Sequence, residues 1–284
     1  MDLTIKRERT YRLLEDSRIV TGNGALYKAQ DLALGRTVAV KQVRIQGENR
    51  FQKNQNVQKA LSEVQALVAI KDTDVRVPTV FDTYYDEPAG ELYIVMEWIN
   101  GVPLTDKMAV PAPQFLRWMV DLCFILERME RKRLYHKDIK PANLMISRAG
   151  QLYLIDFNIT IAAANLVEGT LHYKAPEMSP GSIYSGRDKA DMFAIGVMLY
   201  EYFTGAVPVR TVDYARNRQR GPQQWDLFVQ PKEKNPTMPE SLNAIVTRCM
   251  KLDPNERYSS ISQLKQALKE AGDELRGKPK RVDP

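Results

Sequence analysis

The chain has 284 residues, 44% of them hydrophobic and 27% charged, with a formal net charge of +6. This is ordinary globular composition, enough for one large domain or two lobes. No apolar run reaches the length of a membrane span, since the longest candidate, Phe193 to Phe203, is short and contains Glu201. The mixed-charge start, Met-Asp-Leu-Thr-Ile-Lys-Arg-Glu, does not read as a secretory signal. Cys123 and Cys249 lie in apolar helical patterns without metal spacing, which argues against a disulfide framework and suits a reducing, cytoplasmic setting. The basic tail, Arg276, Lys278, Lys280 and Arg281, reads as a solvated end or a linker rather than a nucleic-acid or lipid contact.

Residues 1–18 are polar, with a weak helical or extended pattern. A glycine-bearing turn at Gly22 and Gly24 precedes Leu26-Tyr-Lys-Ala. It suits either an ordinary hairpin or a loop whose backbone N–H groups hold phosphate. After a turn at Leu34-Gly35-Arg36, Thr37 to Lys41 alternates as a strand and places Lys41 on the face opposite Val38 and Val40. Residues 56–70 predict an amphipathic helix with an apolar stripe at Val57, Leu61, Val64 and Val68 and with Glu63 at its edge. Glu63 is either a solvated charge or the partner of Lys41.

Two strands are expected around Val80 to Tyr85 and Leu92 to Met96, joined by a turn at residues 86–90. Glu97 to Gly101 reads as a linker, and the lobe boundary is placed there. Gln114 to Leu134 predicts a long helix burying Phe115, Trp118, Met119, Leu122, Ile125, Leu126 and Met129. Tyr135 to Phe157 is the centre of the chain. Asp138 is followed by Ile-Lys-Pro, so it cannot sit inside a regular helix and must lie on a loop. Lys140 and Asn143 follow closely, and a hairpin pattern, Leu144 to Ile146 and Leu152 to Ile155, returns the chain to Asp156 near Asn143. A base, a cation and two metal-type ligands brought together suit phosphoryl transfer. Residues 188–204 form a helix apolar nearly all round, ended by Gly205. Gly205 to Glu240 is polar and proline-containing, long enough to bind something or to hold a short helix. Helices at Ser241 to Met250 and Ser259 to Leu275 close the chain.

Taken together these stretches resemble the protein kinase family over almost the whole chain. His-Lys-Asp-Ile-Lys-Pro-Ala-Asn at 136–143 resembles the catalytic loop, and Asp156-Phe157-Asn158 the metal-binding triplet. Ala175-Pro176-Glu177 resembles the end of the activation segment, and Val38-Ala-Val-Lys41 the nucleotide-contacting strand. Asp191 to Gly196 is similar to the opening of the family's central helix, and Asp253 to Arg257 to the segment whose arginine pairs with the Ala-Pro-Glu glutamate.

The resemblance implies an α+β, two-lobed fold with a small antiparallel β lobe carrying one key helix (1–97) and a larger helical lobe (98–275), followed by the tail (276–284). It implies that Asp138 orients or deprotonates the acceptor hydroxyl and that Lys140 neutralises the transferred phosphoryl group, a lysine typical of the Ser/Thr class. Asn143 and Asp156 would hold Mg²⁺ (or Mn²⁺) bridging the ATP phosphates. Lys41 would bond the α- and β-phosphates and pair with Glu63. The remaining nucleotide contacts implied are Ile19, Gly22, Gly24, Leu26, Ala39, Met145, Met96 behind the adenine, and backbone groups of Glu97 to Ile99. His136 is structural, because Asp138 fills the base role. The partner implied is a protein with a Ser or Thr acceptor.

Four positions depart from the family pattern. Counting back from Leu26, the expected glycines fall at Ile19, Thr21 and Gly24, and only the last is glycine; a second register uses Gly22 and Gly24 but puts Tyr27 third. Side chains there limit backbone approach to phosphate and predict weakened ATP affinity. Asn158 replaces a glycine and tolerates positive φ. Lys137 replaces an arginine and lacks its bidentate fork. Residues 161–167 contain no hydroxyl, and Thr170 is expected to bond Asp138 and Lys140, so activity is not expected to depend on activation-segment phosphorylation. Two alternatives stay open: a pseudokinase acting as a nucleotide-binding scaffold, supported by the degraded glycine loop, and a small-molecule kinase of the same broad fold. A non-arginine catalytic loop with a compact late lobe suits a bacterial or viral kinase of eukaryotic type.

Overall fold

A computed structural model describes residues 2–5, 9–21, 24–71, 74–156, 172–178, 186–208 and 229–277. The chain divides into two compact units, Met1–Asn100 with Ile155–Asn165, and Gly101–Leu154 with Leu166–Pro284.

The first unit is built on one antiparallel sheet. Its strands are β1 (Asp2–Ile5), β2 (Arg9–Leu13), β3 (Ile19–Thr21), β4 (Gly24–Asp31), β5 (Arg36–Arg44), β6 (Val80–Asp86) and β7 (Glu91–Glu97). The order is β1-β2-β4-β5-β7-β6, with β3 paired to β4 beyond the end of β2. One face packs Tyr11, Ala25, Tyr27, Ala29, Val38, Val40, Tyr93 and Val95 into a core. The other packs Val43, Leu92 and Ile94 against helix α1 (Arg50–Ile70). The central strands β5 and β7 are covered on both faces, which is why Val38 to Val40 and Leu92 to Val95 are apolar without a gap.

The β4–β5 turn is set by Asp31. Its Oδ1 accepts from the N–H groups of Ala33 (3.1 Å) and Leu34 (3.2 Å), and its Oδ2 from Arg36 Nε (3.1 Å). Gly35 supplies the φ of +64° that the turn requires.

Helix α1 begins at Arg50, six residues before the predicted start, where Asn49 Oδ1 caps Gln52 N–H at 2.9 Å. Its buried row is Val57, Ala60, Val64 and Leu67, whereas Val68 is 53% exposed. The predicted stripe was therefore centred slightly off. Ala60, too small to weigh in a hydropathy pattern, marks the true contact line with the sheet. Within residues 1–18, read as weakly patterned, β1 pairs antiparallel with β2, and a short 3-10 turn follows at Glu15–Ser17. Leu3, Tyr11 and Leu13 enter the core, so tertiary burial organises a segment whose own periodicity is faint.

The second unit holds helix α2 (Ala112–Arg131), a small sheet ordered β10-β9-β8, and helices α3 (Ala190–Thr204), α4 (Pro231–Lys234), α5 (Glu240–Cys249) and α6 (Ile261–Leu275). The sheet strands are β8 (Gly101–Pro103), β9 (Leu144–Ser147) and β10 (Leu152–Leu154). All seven apolar residues assigned to the buried face of α2 are buried. α3 is buried from Ala190 to Tyr200 and stops at Gly205, φ +74°. Gly196 lets α5 approach α3 closely, because a Cβ there would lie 2.6 Å from Cys249 Cβ. α6 is tied to α2 by Lys265 on Glu127 and by Glu130, whose carboxylate accepts the Ile261 N–H at 3.3–3.4 Å. Among the described residues no helix is long and apolar enough to cross a membrane.

Candidate active site

The loop carrying Asp138 is pinned from below. Helix α3 opens with Asp191, a buried carboxylate that accepts the main-chain N–H groups of His136 (2.9 Å) and Lys137 (2.7 Å). Lys137 holds φ at +62°, a left-handed conformation that costs a non-glycine residue about 1–2 kcal/mol and that these two charge-assisted bonds offset. Burial pushes the Asp191 carboxyl up, while His136, Lys137 and the two N–H groups act against this. On the far side of Asp138, Ile139 is sunk in the core at 1% exposure, and Pro141–Asn143 forms a 3-10 turn closed by Asn143 N–H on Lys140 C=O at 3.0 Å. Asp138 is thus held between two anchors.

The side chains then converge. Lys140 Nζ lies 2.8 Å from Asp138 Oδ2, and Asn143 Nδ2 donates to Asp138 C=O (2.8 Å) and to Oδ2 (3.1 Å). Oδ2 carries two donors, whereas Oδ1 accepts no bond from a described residue. Both amide protons of Asn143 are spent on Asp138, so its Oδ1 remains an oxygen donor of the hard type that Mg²⁺ takes. Met145, on β9, faces away from its buried neighbours Leu144 and Ile146.

In the first unit the sheet register sets the nucleotide-type residues on one face. Ile19 pairs Leu26, Leu26 pairs Lys41, and Lys41 pairs Ile94; one row along, Ala39 pairs Met96. Lys41 forms an ion pair with Asp156, which sequence reasoning did not foresee. Asp156 has φ +56°, a conformation aspartate tolerates better than most residues, and its carboxylate is 48% exposed. The predicted pairing of Lys41 with Glu63 falls on a side chain outside the described set; Glu63 lies within α1. Glu97 does more than border a linker. Its carboxylate accepts from Thr79 N–H and Oγ1, both at 3.1 Å, and its N–H is taken by Thr79 C=O at 2.8 Å. Lys71, at the end of α1, lies 3.8 Å from that carboxylate and donates to Val77 C=O at 2.7 Å. Ile99 is nearly buried at 9% exposure.

The glycine turn takes one register. Thr21 pairs Gly24, and Ile19 and Thr21 stand on β3. Gly22 lies outside the described residues. Gly24 answers to the sheet: a Cβ there would sit 1.9 Å from Gln42 C=O. Phe157–Leu171, with Asn158, Thr160 and Thr170, also lie outside them, as does the tail from residue 278.

Downstream, Arg257 forks onto Glu177, Nη1 to Oε1 at 2.6 Å and Nη2 to Oε2 at 2.8 Å, with both side chains fully buried. Its remaining donors reach the carbonyls of Lys189 (3.0 Å), Lys251 (2.9 Å) and Leu252 (3.4 Å). Next to Glu177, Tyr173 donates to Glu201 of α3, and burial with that carboxylate drives its hydroxyl well above the ordinary range.

An antiparallel sheet with one covering helix, a helical unit, and a loop-borne Asp-Lys-Asn cluster define the protein-kinase fold. The chain belongs to the protein kinase domain family, whose sequence profile matches residues 20–270. It is 27% identical over 280 residues to the serine/threonine-protein kinase PrkC of Bacillus subtilis, covering 93% of this chain and 41% of that protein. It is 28% identical to PksC of Streptomyces coelicolor over 270 residues (86% of this chain, 46% of that protein) and 29% identical to PknB of Mycobacterium tuberculosis over 272 (87% and 40%). The chain therefore spans well under half the length of these curated relatives.

Proposed function

We propose that this chain is an active, ATP-dependent Ser/Thr protein kinase domain that transfers the γ-phosphoryl group of ATP to protein hydroxyls, without a requirement for activation-segment phosphorylation. The observation that carries the reading is the Asp138–Lys140–Asn143 cluster. A module retaining the fold only to bind a partner has no need of a carboxylate with one oxygen held by two donors and the other left open. The serine/threonine kinases among its relatives and the lysine at position 140 support the same acceptor class.

In this mechanism Asp138 Oδ1 takes the hydrogen bond of the acceptor hydroxyl and orients its lone pair toward phosphorus. The proton passes to the carboxylate as the P–O bond forms and the bond to ADP breaks. Lys140 holds Asp138 in place and offers positive charge to the transferred oxygens. Lys41, positioned by Asp156, binds the α- and β-phosphates. Asn143 and Asp156 would hold the Mg²⁺, which when bound neutralises the polyphosphate. Leu26, Ala39, Met96 and Met145 supply apolar contact to the adenine, and Glu97 to Ile99 supply backbone groups to its edge.

The test is transfer of radiolabelled phosphate from ATP to a mixed protein substrate and to a panel of small alcohols. Wild type labels protein Ser and Thr, and Asp138→Asn falls by about 10²–10⁴-fold with ATP binding retained. Equal turnover by Asp138→Asn, or none by wild type, refutes the assignment, and labelling of the alcohols alone moves it to small-molecule substrates. Retained activity after phosphatase treatment is expected; its loss, traced to a segment phosphosite, refutes the ungated reading.

A further inference from the structure

We propose that Thr21 binds the polyphosphate of ATP through its side-chain hydroxyl, so that the flap formed by β3 and β4 holds the nucleotide by a side chain where glycine-rich flaps use bare backbone. The inference rests on the kinase reading above.

Side chains alternate along β3, so Ile19 and Thr21 share a face and Val20 takes the other. Ile19 is directly opposite Leu26, and Leu26 is directly opposite Lys41. Directly opposed residues in an antiparallel pair project to the same side, so Thr21 lies on the Lys41 side of the sheet. Thr21 is in line with Gly24 and Val43, one same-face row beyond Lys41, so two strand spacings (about 10 Å) and two residues along the strand (about 7 Å) separate it from Lys41, and the long Lys41 side chain covers part of that span. A polyphosphate bound by Lys41 and extended along this face comes within reach of the Thr21 hydroxyl.

Among the described residues, none competes for that hydroxyl. Thr21 is exposed, and its Oγ1 bonds to no described residue. The described backbone of β3 is poorly placed to do the same work. Ile19 and Thr21 both carry β-branched side chains, which hold a ligand away from the β3 main chain. Gly24, the one glycine on a flap strand, is spent on close approach to Gln42 C=O at the neighbouring strand. The root of the flap is fixed as well: Ser17 Oγ donates to Leu14 C=O (2.6 Å) and accepts from Lys28 N–H (2.9 Å), which anchors the start of β3 against β4. A flap anchored at its root can present the Thr21 hydroxyl on the Lys41 side of the sheet.

The competing reading makes Thr21 an obstacle, its methyl and hydroxyl only blocking the phosphates. Thr21→Val separates the two, since it keeps the shape and removes the donor. We expect Thr21→Val to raise the KM for ATP and the Kd for ATP and ADP about tenfold, the size of one hydrogen bond to a charged oxygen. Thr21→Ser should stay within about twofold of wild type, and the Ki for adenosine, which has no phosphate, should be unchanged in both variants. A Thr21→Val protein with wild-type or lower KM, or one that loses adenosine and ATP affinity equally, overturns the proposal. If wild type binds ATP by calorimetry and Thr21→Val binds it equally well, this inference fails and the kinase reading stands; if wild type binds no ATP, both fail.

Discussion

Replacing Arg257 by Met removes a guanidinium from a site where it is fully buried and leaves the Glu177 carboxylate without its two-pronged partner. Breaking one side of a buried pair costs about 3–5 kcal/mol, because the remaining charge stays desolvated. The upper part of that range applies, since the carbonyls of Lys189, Lys251 and Leu252 lose a donor at the same time. With a urea m-value of about 3 kcal/mol/M, the unfolding midpoint falls by roughly 1.3–1.7 M. Equilibrium urea unfolding followed by far-UV circular dichroism reads the shift. The double variant Glu177→Gln/Arg257→Met removes the orphaned charge and recovers at least about 1 kcal/mol of the loss. A single variant within about 0.3 M of wild type, or a double variant no better than the single, would show that the pair is not the buried clamp its geometry implies.

The flap and the late helices supply two further tests. Gly24→Ala forces a methyl group into the Gln42 carbonyl, so thermal unfolding should show a loss of about 1–3 kcal/mol; an unchanged midpoint would mean that β4 can retreat from β5 at no cost. Burial raises the Glu127 carboxyl, but Lys265, with help from Arg131, outweighs it and holds the group below the usual carboxylate range. The folded-state value thus lies below the unfolded one. The contribution is present above the unfolded value of about 4.3 and is lost as pH falls through the folded value. Urea midpoints taken from pH 6 down to pH 3 should drop less steeply for Lys265→Met than for wild type, and parallel curves would remove Glu127 from the account.

The loop carrying Asp138 was legible because its residues leave marks in one dimension. A proline two residues after Ile139 forbids a helix, and the Leu144–Ile146 and Leu152–Ile155 runs fix the returning hairpin. Helix α3 was legible for a similar reason, its apolar sequence matching burial on every side. What could not be read is what depends on registers and facing elements. The α1 stripe was displaced because Ala60 is fully buried and Leu61 only packs at the cluster's margin, while Val68 is exposed. The β1–β2 pair was missed because its three core residues are too few to set a period. Asp191 was noticed as a motif residue, yet nothing along the chain says that its carboxylate holds the backbone of His136 and Lys137, 54 or more residues away.

By itself, then, the sequence determined the fold class and, from residue 24 onward, most of the order of the elements. Periodicity, proline placement and residue type are local properties and survive in a one-dimensional string. Tertiary structure decided which partners the residues take: Asp156 for Lys41, Thr79 for Glu97, Asp191 for the loop carrying Asp138, and a strand carbonyl for Gly24. Each of those choices is made across space, where burial strengthens the charges and hydrogen bonds that the chain brings together.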